Sequence, residues 1–127
     1  MRDDDLETTK PPINVGPTKF GNTGQVYIGR YADGMLALVL LDPETGERLL
    51  CATVCMAGTA TYTSKRHVWL KVWSENEGIE EALVKAGVLT LTGKTTPAGY
   101  VSAYEGKLTD DFIKALPKVV RNYIGGD

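Results

Sequence analysis

Short β-rich, apolar runs separated by turn sequences mark the chain between about residues 25 and 54. Two β-rich runs, roughly residues 25–32 and 35–41, flank Asp33 and Gly34, a dipeptide favoured in two-residue hairpin turns because both central positions take positive φ. A third apolar run, "RLLCATV", follows the turn sequence "DPETGE". This pattern predicts three antiparallel strands in a meander. Alternation further along the chain predicts a fourth strand over residues 66–72.

The period of the pattern changes to that of a helix in "VWSENEGIEEALVKAG", residues 72–87. Ser74 and Glu77 have the spacing of a capping box, in which each side chain accepts a hydrogen bond from the backbone N–H of the other residue. Gly87 supplies the left-handed residue that ends a helix. The sequence therefore predicts a helix that starts at Ser74. Its core-facing residues are Ile79, Ala82, Leu83 and Ala86.

The last third of the chain contains two further strand candidates and a second helical pattern. The strand candidates, "VLTLTG" and "AGYVSAYEG", surround a predicted turn region, "GKTTPAG". Thr109 is the predicted N-cap of the C-terminal helix, with Asp110 and Asp111 in the first turn, where the helix dipole favours negative charge. The apolar stripe continues past Pro117 and predicts a kink or a fresh start there. It contains Phe112, Ala115, Leu116, Val119, Val120, Tyr123 and Ile124.

Together these elements predict an α+β fold, a mainly antiparallel sheet of five or six short strands with an N-terminal meander and two helices packed on it. A chain of 127 residues suits one domain, assigned to residues 13–127, behind a disordered acidic tail, residues 1–12. The longest apolar run, Met35 to Leu41, is far shorter than the roughly 20 residues that cross a bilayer. The N-terminus is too polar for a signal peptide. We therefore expect a cytoplasmic protein with no membrane segment, a monomer or a homodimer.

Residues with recognisable chemistry are few. The chain has no P-loop and no G-x-S-x-G, H-E-x-x-H or G-x-G-x-x-G sequence. Cys51 and Cys55 are expected to be two buried reduced thiols, because on a strand they lie roughly 13 Å apart, too far for a disulfide. His67 is expected on the surface of a strand. One histidine and one C-x3-C pair do not have the number and spacing of ligands that a zinc site requires. We predict a protein that is not an enzyme and has no cofactor and no metal site. A Cys thiolate with His67 as its base is the enzymatic alternative.

Two local groups of charges are candidate binding surfaces, since a net charge of −2 gives the whole protein no strong field. A compact negative patch at the start of the first helix suits docking on a basic groove of a partner protein; it comprises Glu75, Glu77, Glu80 and Glu81. A basic patch suits phosphate groups; it comprises Lys65, Arg66, Lys114, Lys118 and Arg121. Interactions with helix dipoles are the structural alternative for both groups.

Several short motifs follow one another in a fixed order between roughly residues 24 and 108. They are Asp33–Leu38, Ala52–Val54, Ser74–Gly78, Leu83–Gly87, Thr92–Gly93 and Pro97–Tyr100. In this order and spacing the chain resembles a family of small uncharacterised bacterial proteins carried on conjugative elements and phages. The segment "CATVCM" departs from the Thr-Val-Asn type of strand expected there.

This resemblance implies a non-enzymatic binding protein of a phage or mobile element. By its genetic setting we expect an inhibitor of a host defence system, such as an anti-CRISPR protein, that docks on a host defence protein or nuclease complex. The acidic helix start is then the favoured contact. The alternative is a nucleic-acid-binding or plasmid-maintenance accessory protein that uses the basic patch.

Overall fold

The protein is described by a computed structural model that covers residues 5–56 and 58–125. Within these residues, no helix is both long and apolar enough to cross a membrane. The elements, in chain order, are β1 (Glu7–Thr8), β2 (Asn14–Val15), β3 (Gly24–Arg30), β4 (Leu36–Leu41), β5 (Arg48–Cys51), β6 (His67–Leu70), α1 (Ile79–Lys85), β7 (Leu89–Ala98), β8 (Val101–Leu108), α2 (Asp110–Lys114) and α3 (Lys118–Ile124).

The strands form two antiparallel sheets. In the first sheet β1 and β2 both pair with β3, which is followed by β4 and β5; the order in the second sheet is β6-β8-β7. The segment after β5 joins the sheets, because the Ala52 N–H donates to the Leu38 carbonyl and the Ala52 carbonyl accepts from the Lys71 N–H. The predicted α+β class is confirmed, including the meander β3–β4–β5 and the helices packed on sheet.

The core lies between the two sheets and the helices. β4 is buried along its whole length, which explains why its sequence "LALVLL" does not alternate with polar residues. Leu38 and Leu40 face the main core, where they meet Leu83 of α1 and Phe112 of α2. Val39, on the other face of β4, packs in a small cluster with Leu6 and Leu41. Both faces of the central strand are therefore covered.

The N-terminal segment differs from the prediction. Residues 1–4 lie outside the described residues, but Glu7 and Thr8 pair with β3, and the Thr8 hydroxyl donates to the Val26 carbonyl at 2.7 Å. Leu6 and Thr9 are buried. The prediction of a disordered tail is therefore wrong for residues 6–9. Backbone pairing with the edge of a strand holds this polar segment, and composition does not reveal such pairing.

The predicted β3–β4 hairpin is present, but its loop is longer than two residues. Arg30 pairs with Leu36, so five residues lie between the paired positions. Gly34 takes a positive φ of 86°, whereas Asp33 does not. The Asp33 carboxylate instead accepts a hydrogen bond from the Met35 N–H at 2.9 Å. Asp33 stabilises the loop through its side chain and not through a left-handed backbone.

The predicted start of the first helix is wrong, although its end is correct. Ser74–Asn76 forms a single 3₁₀ turn, and α1 begins at Ile79 after Gly78, whose φ is 88°. The Ser74 backbone carbonyl, and not its hydroxyl, accepts from the Glu77 N–H, so no capping box forms. Glycine suits this position because its φ is positive and because a Cβ would lie only 3.0 Å from the Lys19 backbone nitrogen.

At the other end of α1, Gly87 takes the predicted left-handed conformation, with φ 78°. The Val88 N–H donates to the Leu83 carbonyl and the Gly87 N–H to the Val84 carbonyl, the two bonds of a Schellman motif. Ile79, Ala82 and Leu83 are buried, as the helical periodicity predicts.

The segment predicted as a turn region between two short strands is mostly strand. β7 continues to Ala98, which pairs with Val101, so the turn consists of Gly99 and Tyr100. The pairing register shifts between Leu91 and Thr95. A proline is tolerated at position 97 because β7 is the edge strand of its sheet.

The C-terminal helical pattern divides into two helices at Pro117, where the sequence predicts a kink or a fresh start. Thr109 is the N-cap of α2, since its side chain accepts from the Phe112 N–H. Phe112, Leu116 and Ile124 are buried as predicted, whereas Val119 is 68% exposed. The new start at Pro117 turns Val119 out of the apolar stripe.

Candidate functional site

Four of the five residues of the predicted basic patch line one groove beside α2 and α3. The groove has a volume of about 740 Å³. We term it the basic groove. Its lining residues are Arg66, Asp110, Ile113, Lys114, Lys118, Arg121, Asn122 and Gly125. The four cations come from three segments, and Asp110 is the only carboxylate among the described lining residues.

The N-cap of α2 fixes one side of the basic groove. The Thr109 hydroxyl accepts from the Phe112 N–H at 3.1 Å and donates to the Gly87 carbonyl at 2.6 Å, so it ties α2 to the end of α1. Phe112 and Ile113 are buried, which directs the next residue, Lys114, to the surface. The orientation of Lys114 thus follows from the packing of its neighbours.

The helix start at Pro117 sets the other side of the groove. Ile124 is buried and Val120 packs against the core, so the opposite face of α3 points outward. Lys118 and Arg121, three residues apart, are both exposed on that outer face. Helical periodicity therefore puts these two cations side by side.

Arg66 is held more firmly than the other three cations. Its side chain is only 13% exposed, and Nη1 donates to Asp110 Oδ1 at 3.0 Å. The Arg66 Nε is buried, and it has no hydrogen-bond partner within the described part of the chain. An arginine has five N–H donors. The contact with Asp110 occupies one of these donors and burial closes Nε, so any contact with a ligand in the groove falls to the other guanidinium N–H groups.

Lys65, the fifth predicted cation, lies on the other side of α3. Its Nζ is 4.2 Å from the centroid of the Tyr123 ring and donates to the Tyr123 carbonyl at 3.3 Å. The guanidinium carbon of Arg30 lies 4.4 Å from the same centroid. The Tyr123 hydroxyl donates to the Gly34 carbonyl at 2.5 Å. The Tyr123 ring is therefore in contact with two cations, and its hydroxyl hydrogen is used in the bond to Gly34.

A larger groove of about 890 Å³ lies across α3 from the basic groove, and Asn122 lines both. Its walls combine Asp5 and Glu7 with Arg30 and with the exposed Val119. These charges are of both signs, so the larger groove does not select a strongly charged ligand.

The predicted acidic patch is partly neutralised by lysines. Lys71 Nζ lies 2.5 Å from Glu75 Oε1, and this hydrogen bond lowers the pKa of Glu75. Lys19 Nζ lies 2.6 Å from Glu77 Oε2. The other two glutamates, Glu80 and Glu81, are in the first turn of α1. The start of α1 therefore presents a surface of mixed charge.

A third groove, of about 720 Å³, lies beside the start of α1. Its lining residues include Glu77, Glu80 and Glu81, but not Glu75, and the two lysines Lys19 and Lys85. The structure therefore brings three of the four predicted residues to one groove together with two cations.

Sequence reasoning missed a buried polar cluster on the outer face of the second sheet. Glu105 is 2% exposed, and its carboxylate accepts hydrogen bonds from Thr92 Oγ1 at 2.7 Å and Thr63 Oγ1 at 3.2 Å. The alternation along β8 indicates where the Glu105 side chain lies, because residues two apart in a strand share a face and Ala103 on that face is fully buried.

His67 belongs to this buried region, so its predicted position on the surface is wrong. It is 8% exposed, and Nδ1 lies 2.8 Å from Ser64 Oγ. Burial lowers the pKa of His67, while the nearby Glu105 carboxylate acts in the opposite direction. The segment before β6 folds over His67, which a strand pattern alone does not predict.

The two cysteines are free, but only one is partly buried. Cys51 is half-buried, and its thiol donates to the Thr53 carbonyl at 3.4 Å, whereas Cys55 is exposed. The prediction of two buried thiols is wrong for Cys55.

Burial raises the pKa of Tyr31, whose hydroxyl lies 2.7 Å from Thr53 Oγ1. Within residues 5–56 and 58–125, no three His, Cys, Asp or Glu side chains cluster in a way that could hold a metal ion.

Comparison of this chain with models of protein families, with curated proteins and with solved structures finds no match.

Proposed function

We propose that the protein is a nucleic-acid-binding accessory protein that uses the basic groove. The observation that carries the proposal is that one groove is lined by four cations, Arg66, Lys114, Lys118 and Arg121. Among the lining residues that the structure describes, only Asp110 carries a negative charge. Lysine and arginine side chains bind nucleic acids by neutralising phosphates, which releases condensed counterions. A local basic surface supplies this attraction even in a protein whose net charge is −2.

The arrangement of the cations suits an extended anion. Lys114 lies in α2, Lys118 and Arg121 lie in α3, and Arg66 precedes β6, so the positive charges come from three segments along the groove. The charges of a nucleic acid are likewise spread along its length, with one phosphate per roughly 3.4 Å of axis in each strand. A polymer with repeated phosphates can contact all of these cations at once.

The acidic helix start supports a docking function less well. Glu75 and Glu77 already have lysine partners, and two lysines share the adjacent groove with the remaining glutamates. Inhibition of a host defence protein or nuclease complex through these residues stays a prediction. A variant with lysine at all four glutamate positions tests it, and we expect that variant to lose partner binding if the prediction is correct.

Fluorescence anisotropy with a labelled DNA duplex of roughly 20 base pairs, at about 50 mM salt, tests the proposed function. The test variant is K118E/R121E, and the control is K85E/K94E, which changes the net charge equally at exposed lysines outside the basic groove. We expect the test variant to bind at least about tenfold more weakly than the unmodified protein and the control to remain within about twofold. Absence of binding by the unmodified protein, or equal losses in both variants, would refute the proposal.

A further inference from the structure

The aromatic side chains near the basic groove are not free to stack on nucleic-acid bases. The described residues that line the groove include no aromatic side chain. Phe112, on α2, is fully buried in the core. Tyr123, on α3, has Arg30 and Lys65 on its ring and donates its hydroxyl hydrogen to the Gly34 carbonyl. Proteins that bind single strands depend on base–aromatic stacking, worth about 1–3 kcal/mol per base. The basic groove lacks this contribution.

The shape of the site also favours the phosphate backbone over the base edges. In a duplex the base edges lie recessed between two sugar–phosphate ridges, so proteins read them with a protruding helix or β-ribbon. The cations here line the walls of a concave surface, formed by α2, α3 and the segment before β6. A concave surface receives a ridge. Asn122 is the one lining amide side chain among the described residues.

We infer that the basic groove binds the sugar–phosphate backbone of a nucleic-acid duplex without reading its base sequence. This inference rests on the proposed function and names its ligand. A duplex is favoured because it carries one charge per roughly 1.7 Å of helix axis, whereas each strand alone carries one per roughly 3.4 Å. With no stacking to compensate, the strand with the lower charge density binds more weakly.

Salt dependence gives a quantitative expectation. If four cations neutralise four phosphates, the logarithm of the association constant falls with the logarithm of the salt concentration with a slope of about −3.6. That slope corresponds to a loss of roughly a hundredfold in affinity between about 50 and 200 mM salt. Lys118→Ala should reduce the slope by about one.

The test compares four labelled ligands of roughly 20 nucleotides or base pairs: two DNA duplexes of unrelated sequence, one of their single strands and an RNA duplex. We expect the two DNA duplexes to bind within about threefold of each other and the single strand at least about tenfold more weakly. Comparison of the RNA duplex with the DNA duplexes shows which of the two kinds of duplex the groove prefers. Single-strand binding as tight as duplex binding overturns the inference but leaves the proposed function intact, whereas no binding to any ligand refutes the proposed function.

Asn122→Ala provides a second test, since Asn122 is exposed and is the one amide side chain among the described lining residues, and an amide can pair with a base edge. We expect the variant to change the affinity for both DNA duplexes by the same factor, within about twofold, because a site that reads no bases treats the two sequences alike. A loss of affinity for one duplex sequence and not for the other would show base reading and overturn the inference.

Discussion

The basic groove has four cations and the acidic start of α1 has four glutamates, but the two sets differ in how many of their charges have a partner of opposite sign. At the start of α1, two of four glutamates have a lysine within 2.6 Å. In the basic groove, Asp110 is the one carboxylate among the lining residues that the structure describes, and it forms an ion pair with Arg66. The charge that a surface offers to a ligand is therefore the charge left after intramolecular pairing.

The two lysine–glutamate pairs also differ in whether the sequence alone can predict them. Lys71 and Glu75 are four residues apart, a spacing that can be recognised without a structure. Lys19 and Glu77 are 58 residues apart, and a backbone hydrogen bond from the Lys19 N–H to the Glu77 carbonyl brings their side chains together. The neutralisation of Glu77 thus depends on the fold.

Charge reversal in each region should produce the largest difference between them. We expect K114E/K118E/R121E to weaken duplex binding by roughly a hundredfold at low salt, because three of the four groove cations become anions. The variant E75K/E77K/E80K/E81K should bind the duplex at least as tightly as the unmodified protein. Anisotropy titrations at one salt concentration measure both effects. Retained binding in the triple variant would mean that the ligand binds elsewhere.

The helix starts of the two regions should differ in their contribution to stability. Thr109→Ala removes the N-cap of α2 and should lower the free energy of unfolding by about 1 kcal/mol. Ser74→Ala should change it by less than about 0.5 kcal/mol, because the Ser74 side chain makes no capping hydrogen bond. Urea denaturation measures both changes.

Thr109→Ser is the matched control for the cap, since it keeps a hydroxyl that can accept from Phe112 and donate to Gly87. It should retain most of the stability. Equal losses from Thr109→Ala and Ser74→Ala would contradict the assigned difference between the two helix starts.

Removal of the groove carboxylate should increase affinity by a few fold. Asp110→Asn removes one negative charge and the ion pair of Arg66, so more positive charge faces the ligand. Asp111→Asn is the control, because Asp111 is also in the first turn of α2 but does not line the groove. Both variants should lose about 0.3–1 kcal/mol of stability through the helix dipole, and only Asp110→Asn should gain affinity. A gain in both variants would indicate a general charge effect.

The smallest expected effect is at Glu75. Its hydrogen bond from Lys71 lowers the pKa of Glu75, so this pair stabilises the fold at pH values above the ordinary glutamate pKa and the stabilisation is lost as the pH falls through the lowered pKa. Lys71→Met should raise the pKa of Glu75 toward its ordinary value, with little change in stability because Glu75 is exposed. An NMR titration of Glu75 measures the shift. Lys85→Met is the control and should leave the titration unchanged.

Several parts of the fold follow from patterns within one turn or one hairpin. The strands of the meander, the buried face of α1, the left-handed Gly87 and the cap at Thr109 all match the sequence-based expectations. These features depend on residues that are close in the chain, so their causes lie within the window that a periodic pattern or a capping signal covers.

Part of the candidate site was also predictable. The spacing of Lys114, Lys118 and Arg121 indicates a common helical face, and the structure places all three in the basic groove. The sequence also assigns Arg66 to the patch, but the separation of Lys65 from Arg66 was not predictable, because adjacent residues before a strand give no information on which side of a distant helix each will lie.

By itself, the sequence determined the α+β class, the order of the main elements and the buried face of α1. Only the tertiary structure decided that Glu7 and Thr8 join a sheet, that Glu105 is buried beneath polar partners and that Glu77 is paired. The physical reason is distance along the chain. Local geometry controls hydrogen bonds within a turn, whereas the burial and pairing of a charge depend on which remote segment covers it once the chain has closed.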